Sequence, residues 1–144
     1  MQAVTRTTER GILVLGAGEL GMAVLRQLAR LAALAGDTRV SVLLRPSTLE
    51  SSAPGKQQEI DELRSLGIEL LSGDLVSGTI CELSTLFRGF DTVVSCIGFA
   101  AGKGTQIKLA RAAIEAGVLR YVPWQFGVDY DVIGRGSAQD LFDE

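Results

Sequence analysis

The chain has no histidine among its 144 residues. Within those residues the absence excludes Ser-His-Asp and Cys-His catalysis, and any metal site built on imidazole. Its two cysteines, Cys81 and Cys96, have neither CxxC spacing nor enough partners for a disulfide framework. Cys96 lies inside the apolar run from Asp91 to Gly98 and is expected to be a small buried residue. No apolar run approaches the roughly 18 residues of a membrane span. Residues 1–10 are polar and rich in threonine, without the apolar centre of a signal peptide, so they read as a lead-in to the first strand. A soluble, cytoplasmic protein is expected. Basic residues are scattered singly and the net charge is −3, which leaves no electrostatic footprint for nucleic acid.

What is present is regular. Apolar residues make up 47% of the chain, enough at this length to bury the core of one domain. Strand patterns at 11–15, 39–44, 68–71, 92–97 and 120–123 alternate with helix patterns at 19–35, 56–65, 79–87 and 104–116. The first helix carries Leu20, Val24, Leu28 and Leu31 on one face, read here as its inward face, and ends at Gly36-Asp37. Ile60 and Leu63 are the inward pair of the second helix, which Gly67 caps. The stretch 45–55, rich in Pro, Gly and Ser, reads as a loop. Strands alternating with helices of about 10–15 residues imply right-handed crossovers. The expected fold is therefore α/β, a doubly wound parallel sheet of the Rossmann type with strand order 3-2-1-4-5.

The first strand runs into Gly16-Ala17-Gly18-Glu19-Leu20-Gly21, and the long helix leaves it. In that setting a G-x-G-x-x-G pattern is a dinucleotide-binding turn. Gly16 permits the tight turn, Gly18 lets a pyrophosphate approach the backbone, and Gly21 lets the helix pack on its strand. Glu19 and Leu20 open the helix whose free N–H groups face the phosphates. A tight turn without a ligand is the plain alternative. In NAD-binding proteins an Asp or Glu at the end of the second strand holds the ribose 2′-hydroxyl. Here that strand ends in Arg45, followed by Ser47, Thr48 and Lys56. A guanidinium forks onto phosphate, so NADP rather than NAD is the expected cofactor. Ligands in such sheets bind beyond the carboxyl ends of the strands, which gathers the glycine turn, Arg45, Asp74 and residues 95–99 and 124–127 along one rim.

The glycine turn, Leu44-Arg45, Gly73-Asp74-Leu75, the run from Gly89 to Gly98, and Arg120-Tyr121-Val122-Pro123-Trp124-Gln125-Phe126-Gly127 form an ordered series. From Gly11 onward it resembles the NmrA-like and isoflavone-reductase-like group of atypical short-chain dehydrogenases. The resemblance implies that Asp74 and Leu75 lie against the adenine, and that Ser95, Gly98 and Phe99 line the middle of the cofactor. Pro123, Phe126 and Gly127 would sit near the nicotinamide, and Gln106 would lie close to the cofactor from the head of the helix after the fourth strand.

Three departures stand out. The family's usual glycine turn is the longer G-x-x-G-x-x-G. Trp124-Gln125 replaces the Ser-Glu of its Pro-Ser-Glu-Phe-Gly signature. No Tyr-x-x-x-Lys pair exists, because Tyr121 is followed at that spacing by Gln125 and Tyr130 by Gly134. Reductases of the group use a lysine shortly after Phe-Gly, often in a Phe-Asp-Glu-Lys context, and Phe142-Asp143-Glu144 matches only the part before the lysine. No catalytic residue and no metal site is assigned.

Members of the group continue well beyond this length, adding a further strand and a smaller substrate-binding part. Residues 11–144 are then expected to be an incomplete NADP-binding domain behind the lead-in at 1–10, with apolar surface uncovered near Trp124 and Phe126. Two functions are compatible with the resemblance. One is the binding half of an NADPH-dependent reductase of a small aromatic or conjugated substrate, inactive as this chain alone. The other is a non-catalytic NmrA-like regulator that senses the dinucleotide and binds a protein partner. A homodimer remains open in either.

Overall fold

Successive side chains of β1 (Arg10–Leu15) point to opposite faces of a sheet, and both faces are apolar. Leu13 and Leu15 point one way and Val14 the other, and all are fully buried. Such a strand belongs at the centre of a parallel sheet covered by helices on both sides. The computed structural model, which describes residues 10–126, 129–134 and 136, places it there. Its partners are β2 (Thr38–Leu44), β3 (Glu69–Ser72), β4 (Thr92–Ser95) and β5 (Arg120–Val122). All pairings are parallel, in the order β3-β2-β1-β4-β5, with Val14 opposite both Val42 and Val94.

Helical crossovers supply the outer layers. After β1 comes α1 (Glu19–Ala35), after β2 the single turn α2 (Pro46–Leu49) and then α3 (Pro54–Ser65). From α1, Met22, Leu25 and Ala29 join Leu63 of α3 over the face formed by Val14, Val40, Val42 and Leu44. On the opposite face, α4 (Ile80–Phe87) and α5 (Thr105–Ala116) bring Leu83, Phe87, Leu109 and Ala112 onto Leu13, Leu15, Leu43 and Val93. A short α6 (Tyr130–Ile133) follows β5. Among the described residues no helix is long and apolar enough to cross a membrane.

Three expectations require correction. The inward stripe of α1 is Gly21, Met22, Leu25 and Ala29, while Leu20 and Leu31 are 40% and 53% exposed and Val24 and Leu28 only flank the core. The cause is steric. A Cβ on Gly21 would lie 2.2 Å from the Gly16 carbonyl oxygen, so residue 21 faces the strand end and fixes the rotation of the helix. The stretch 45–55 is not all loop either, since Pro46 starts α2 and Pro54 starts α3, each within the first turn where its missing N–H costs nothing. Finally, β4 ends at Ser95 rather than 97, and Phe99–Ala101 forms a 3-10 turn instead.

The turn between β1 and α1 depends on its glycines unequally. Gly16 sits at φ +88°, a conformation that suits glycine, and its N–H donates to the Leu43 carbonyl at 3.2 Å. Gly18 has an ordinary φ of −71°, and a Cβ there would meet nothing within 4 Å. Accordingly, Gly21→Ala should destabilise the fold by about 3 kcal/mol, and Gly18→Ala by no more than about 0.5 kcal/mol. Urea unfolding of the two variants checks both values, and equal losses would contradict this division of roles.

Cys96 is buried, as its neighbours suggested, and burial pushes its thiol up to about 11, while Cys81 is exposed. A thiol reagent at pH 8 should therefore modify Cys81 alone in the folded protein, and both cysteines in denaturant. The Cys81→Ser variant should be inert until unfolded. Because the folded thiol has the higher pKa, its contribution to stability is complete below its ordinary value near 9.0 and is lost as pH rises toward about 11.

Candidate functional site

Parallel strands joined by right-handed crossovers leave all their carboxyl ends on one rim. On the β1–β2–β3 side of that rim lies a cleft of about 330 Å³. The glycine turn bounds it at one end, and the end of β2, α3 and the loop after β3 bound the rest. Its apolar lining includes Leu43, Ile60, Leu75 and Ile97, and its polar lining is Arg45, Thr48, Lys56 and Glu59 beside the backbone of Gly16 and Gly18. Gly18 is the N-cap of α1 and brings no capping side chain, so the first-turn N–H groups at the rim have no side-chain acceptor. The cleft thus offers bare backbone donors at one end, an apolar middle, and two cations at the other.

Gly16, Gly18, Arg45, Lys56 and Leu75 line this cleft. Ser47 does not: it is exposed on α2, and Thr48 lines the cleft in its place. The single turn of α2 brings this about by folding Thr48 back toward Arg45, whose carbonyl accepts the Thr48 N–H at 3.0 Å. Gly21 packs beneath the glycine turn, and Glu19 and Leu20 are exposed on the first turn of α1, outside the cleft. Asp74 closes its own turn. Its Oδ1 accepts the N–H groups of Val76 and Ser77 at 2.9 and 3.2 Å, and those bonds hold its carboxyl below the usual range. It borders a second, more open depression with Cys81 and Glu82. Glu59, absent from the expected set, also lines the cleft, as does Ile97, which lies within the expected rim stretch 95–99. The available signal for Glu59 was its Lys56-x-x-Glu59 spacing on one helix face, which here forms an ion pair of 2.8 Å.

The β4–β5 side of the rim is built differently. Ser95 is fully buried at the end of β4, and its hydroxyl has no hydrogen-bond partner among the described residues. Tyr121, one strand over and opposite Val93, has its phenol pushed up to about 12 by burial. The nearby Ser95 hydroxyl offsets part of that rise, although the two oxygens fall short of hydrogen-bond geometry. Gln106, at the head of α5, donates its Nε2 to the Ile97 carbonyl at 2.8 Å and leaves Oε1 buried without a partner among the described residues. That bond ties the start of α5 to the chain leaving β4. Trp124 packs on Gly98, where a Cβ would come within 3.1 Å of the indole, and meets the Phe99 ring edge-on with centroids 4.7 Å apart. Pro123 is exposed and Phe126 is 55% exposed, so apolar surface is open at this end of the rim. Gly127 and Phe142-Asp143-Glu144 lie outside the described residues. No cluster of three or more metal-binding side chains converges among the described residues.

Comparison with known proteins agrees with this architecture. The NmrA-like family model matches residues 8–144. An NmrA-like family domain-containing oxidoreductase of Gibberella moniliformis (strain M3125 / FGSC 7600) is 56% identical over 133 residues, which cover 92% of this chain and 43% of that protein. The crystal structure of an isoflavone reductase aligns with a TM-score of 0.63 and 29% identity, over 86% of this chain and 38% of the other. AtPrR2 with NADP+ and (+)-pinoresinol aligns with a TM-score of 0.65 and 28% identity, over 88% of this chain and 39% of the other. The chain spans less than half the length of each of these proteins. By its ordered motifs, its sheet and this match along nearly its whole length, the chain belongs to the NmrA-like family.

Proposed function

We propose that this chain is the NADP(H)-binding half of an NADPH-dependent oxidoreductase of the isoflavone-reductase type. Arg45 carries the reading. It stands in the cleft where a carboxylate would select NAD, and its guanidinium has no ion-pair partner among the described residues. Thr48 and Lys56 stand with it, so a 2′-phosphate meets two cations and a hydroxyl. At the opposite end the open space over Gly18 and the uncapped start of α1 suit a pyrophosphate. Leu75 and Val76 supply an apolar wall for the adenine between them.

In this reading Ser95, Gly98, Phe99, Pro123, Phe126 and Gly127 lie toward the nicotinamide, which supplies hydride when bound. The chain itself binds and orients. Gln106 acts through the Ile97 carbonyl by holding the turn that borders the cleft. A small aromatic substrate is proposed by analogy with the (+)-pinoresinol of the aligned complex. Its pocket, and the group that delivers the proton, belong to the part of the protein beyond this chain.

Calorimetric titration with NADPH and NADH tests the reading. NADPH should bind more tightly by about 1–3 kcal/mol, the worth of hydrogen bonds to charged groups. Arg45→Ala should remove most of that difference, the remainder resting on Lys56 and Thr48, and leave NADH binding nearly unchanged. Gly18→Ala should weaken both cofactors by roughly tenfold or more, equivalent to about 1.4 kcal/mol, in a protein that is still folded. Equal affinity of the wild type for NADPH and NADH would refute the role given to Arg45.

A further inference from the structure

Glu59 is a carboxylate in a cleft otherwise suited to an anion. It pairs with Lys56 at 2.8 Å, the two side chains being 42% and 48% exposed, and both line the cleft with Arg45 and Thr48. The other acids of α3 are engaged differently. Glu62 is bound by Arg26 at 2.6 Å and Asp61 by Arg64 at 3.6 Å, and neither acid lines the cleft. Among the α3 acids, Glu59 alone presents its charge where the ribose end of a dinucleotide would lie.

A carboxylate beside the ribose favours a 2′-hydroxyl and repels a 2′-phosphate. It also occupies Lys56, one of the two cations that a phosphate would use. We propose that Glu59 is a specificity-determining residue that restrains the preference for NADPH. Lys56 exchanges the Glu59 carboxylate for the 2′-phosphate when NADPH binds, and keeps it when NADH binds. The exchange is accessible because the pair is exposed and therefore weakly held. The lysine stem is flexible, and its compact charge with three donors can turn to either oxygen acceptor. Arg45, which has no direct ion pair among the described residues and acts on Asp74 only at longer range, then provides the constant part of phosphate recognition.

The inference rests on the NADP reading above, and the experiment separates the two. Dissociation constants for NADPH, NADH and adenosine 2′,5′-bisphosphate are measured for the wild type, Glu59→Gln, Lys56→Gln and the double variant. Glu59→Gln should tighten NADPH and the bisphosphate by roughly three- to fivefold, the range of an exposed charge pair, and leave NADH unchanged or weaker. Lys56→Gln should weaken NADPH more in the Glu59→Gln background than in the wild type, giving a non-additive cycle. An unchanged NADPH-to-NADH ratio in Glu59→Gln, or an additive cycle, overturns the role of Glu59 while NADPH binding by the wild type still supports the site. Failure of the wild type to bind either cofactor or the bisphosphate overturns the site itself, and this inference with it.

Discussion

Everything on the rim depends on how closely α1 approaches the end of β1. With glycine at 21 the helix comes near enough that the Gly16 carbonyl fills the space a side chain would need. This one contact sets the rotation of α1, and so decides that Met22, Leu25 and Ala29 meet the sheet. It also holds the helix start, which has no capping side chain, close to the end of β1. A helix held farther out would leave its partial positive charge too remote to act on an anion, since that effect fades beyond the first turn.

The two halves of the rim obtain their order from different forces. On the β1–β2–β3 side, buried leucines and Ile60 shape a concave surface and the charges stand at its edge. Position there follows from packing, which is dense and unforgiving. On the β4–β5 side the ties include two side-chain hydrogen bonds, from Gln106 to the Ile97 carbonyl and from Thr105 to the Ala101 carbonyl, and one aromatic pair. Three polar atoms, on Ser95, Gln106 and Tyr121, remain buried without partners among the described residues. Buried polar atoms without partners are costly, so this half is held less economically than the other.

The sheet order, the glycine turn and the cationic end of β2 were all legible in the residues, because each follows from a local pattern: apolar runs, glycine spacing, one arginine after one strand. What escaped depends on rotation and reach. Counting leucines placed Leu20 and Leu31 inward on α1, but the tightest contact of that helix belongs to a residue with no side chain. Ser47 and Thr48 are equivalent as types, and only the one-turn helix begun by Pro46 separates them. Asp74 read as a ligand group, and the residue pattern did not reveal that its Oδ1 accepts two N–H groups of its own turn. Glu59 shares a helix face with Lys56 by spacing alone, but that this pair faces the cleft follows only from how α3 packs beside the end of β2.

Ile97 has one further consequence. Its side chain lies where a Cβ on Gly16 would come within 2.6 Å of its Cδ1, it lines the cleft, and its carbonyl is the acceptor for Gln106. A single residue therefore acts as a keystone between two otherwise separate stretches of rim. A larger residue there would press on the glycine turn, and a smaller one would open a void beneath it. Either change would disturb the glycine turn and the Gln106 tie together, and under the proposed function both ends of the cofactor site with them. The two ends of the site are not free to vary independently, so tuning this protein toward another cofactor or substrate has to begin from the side chain they share.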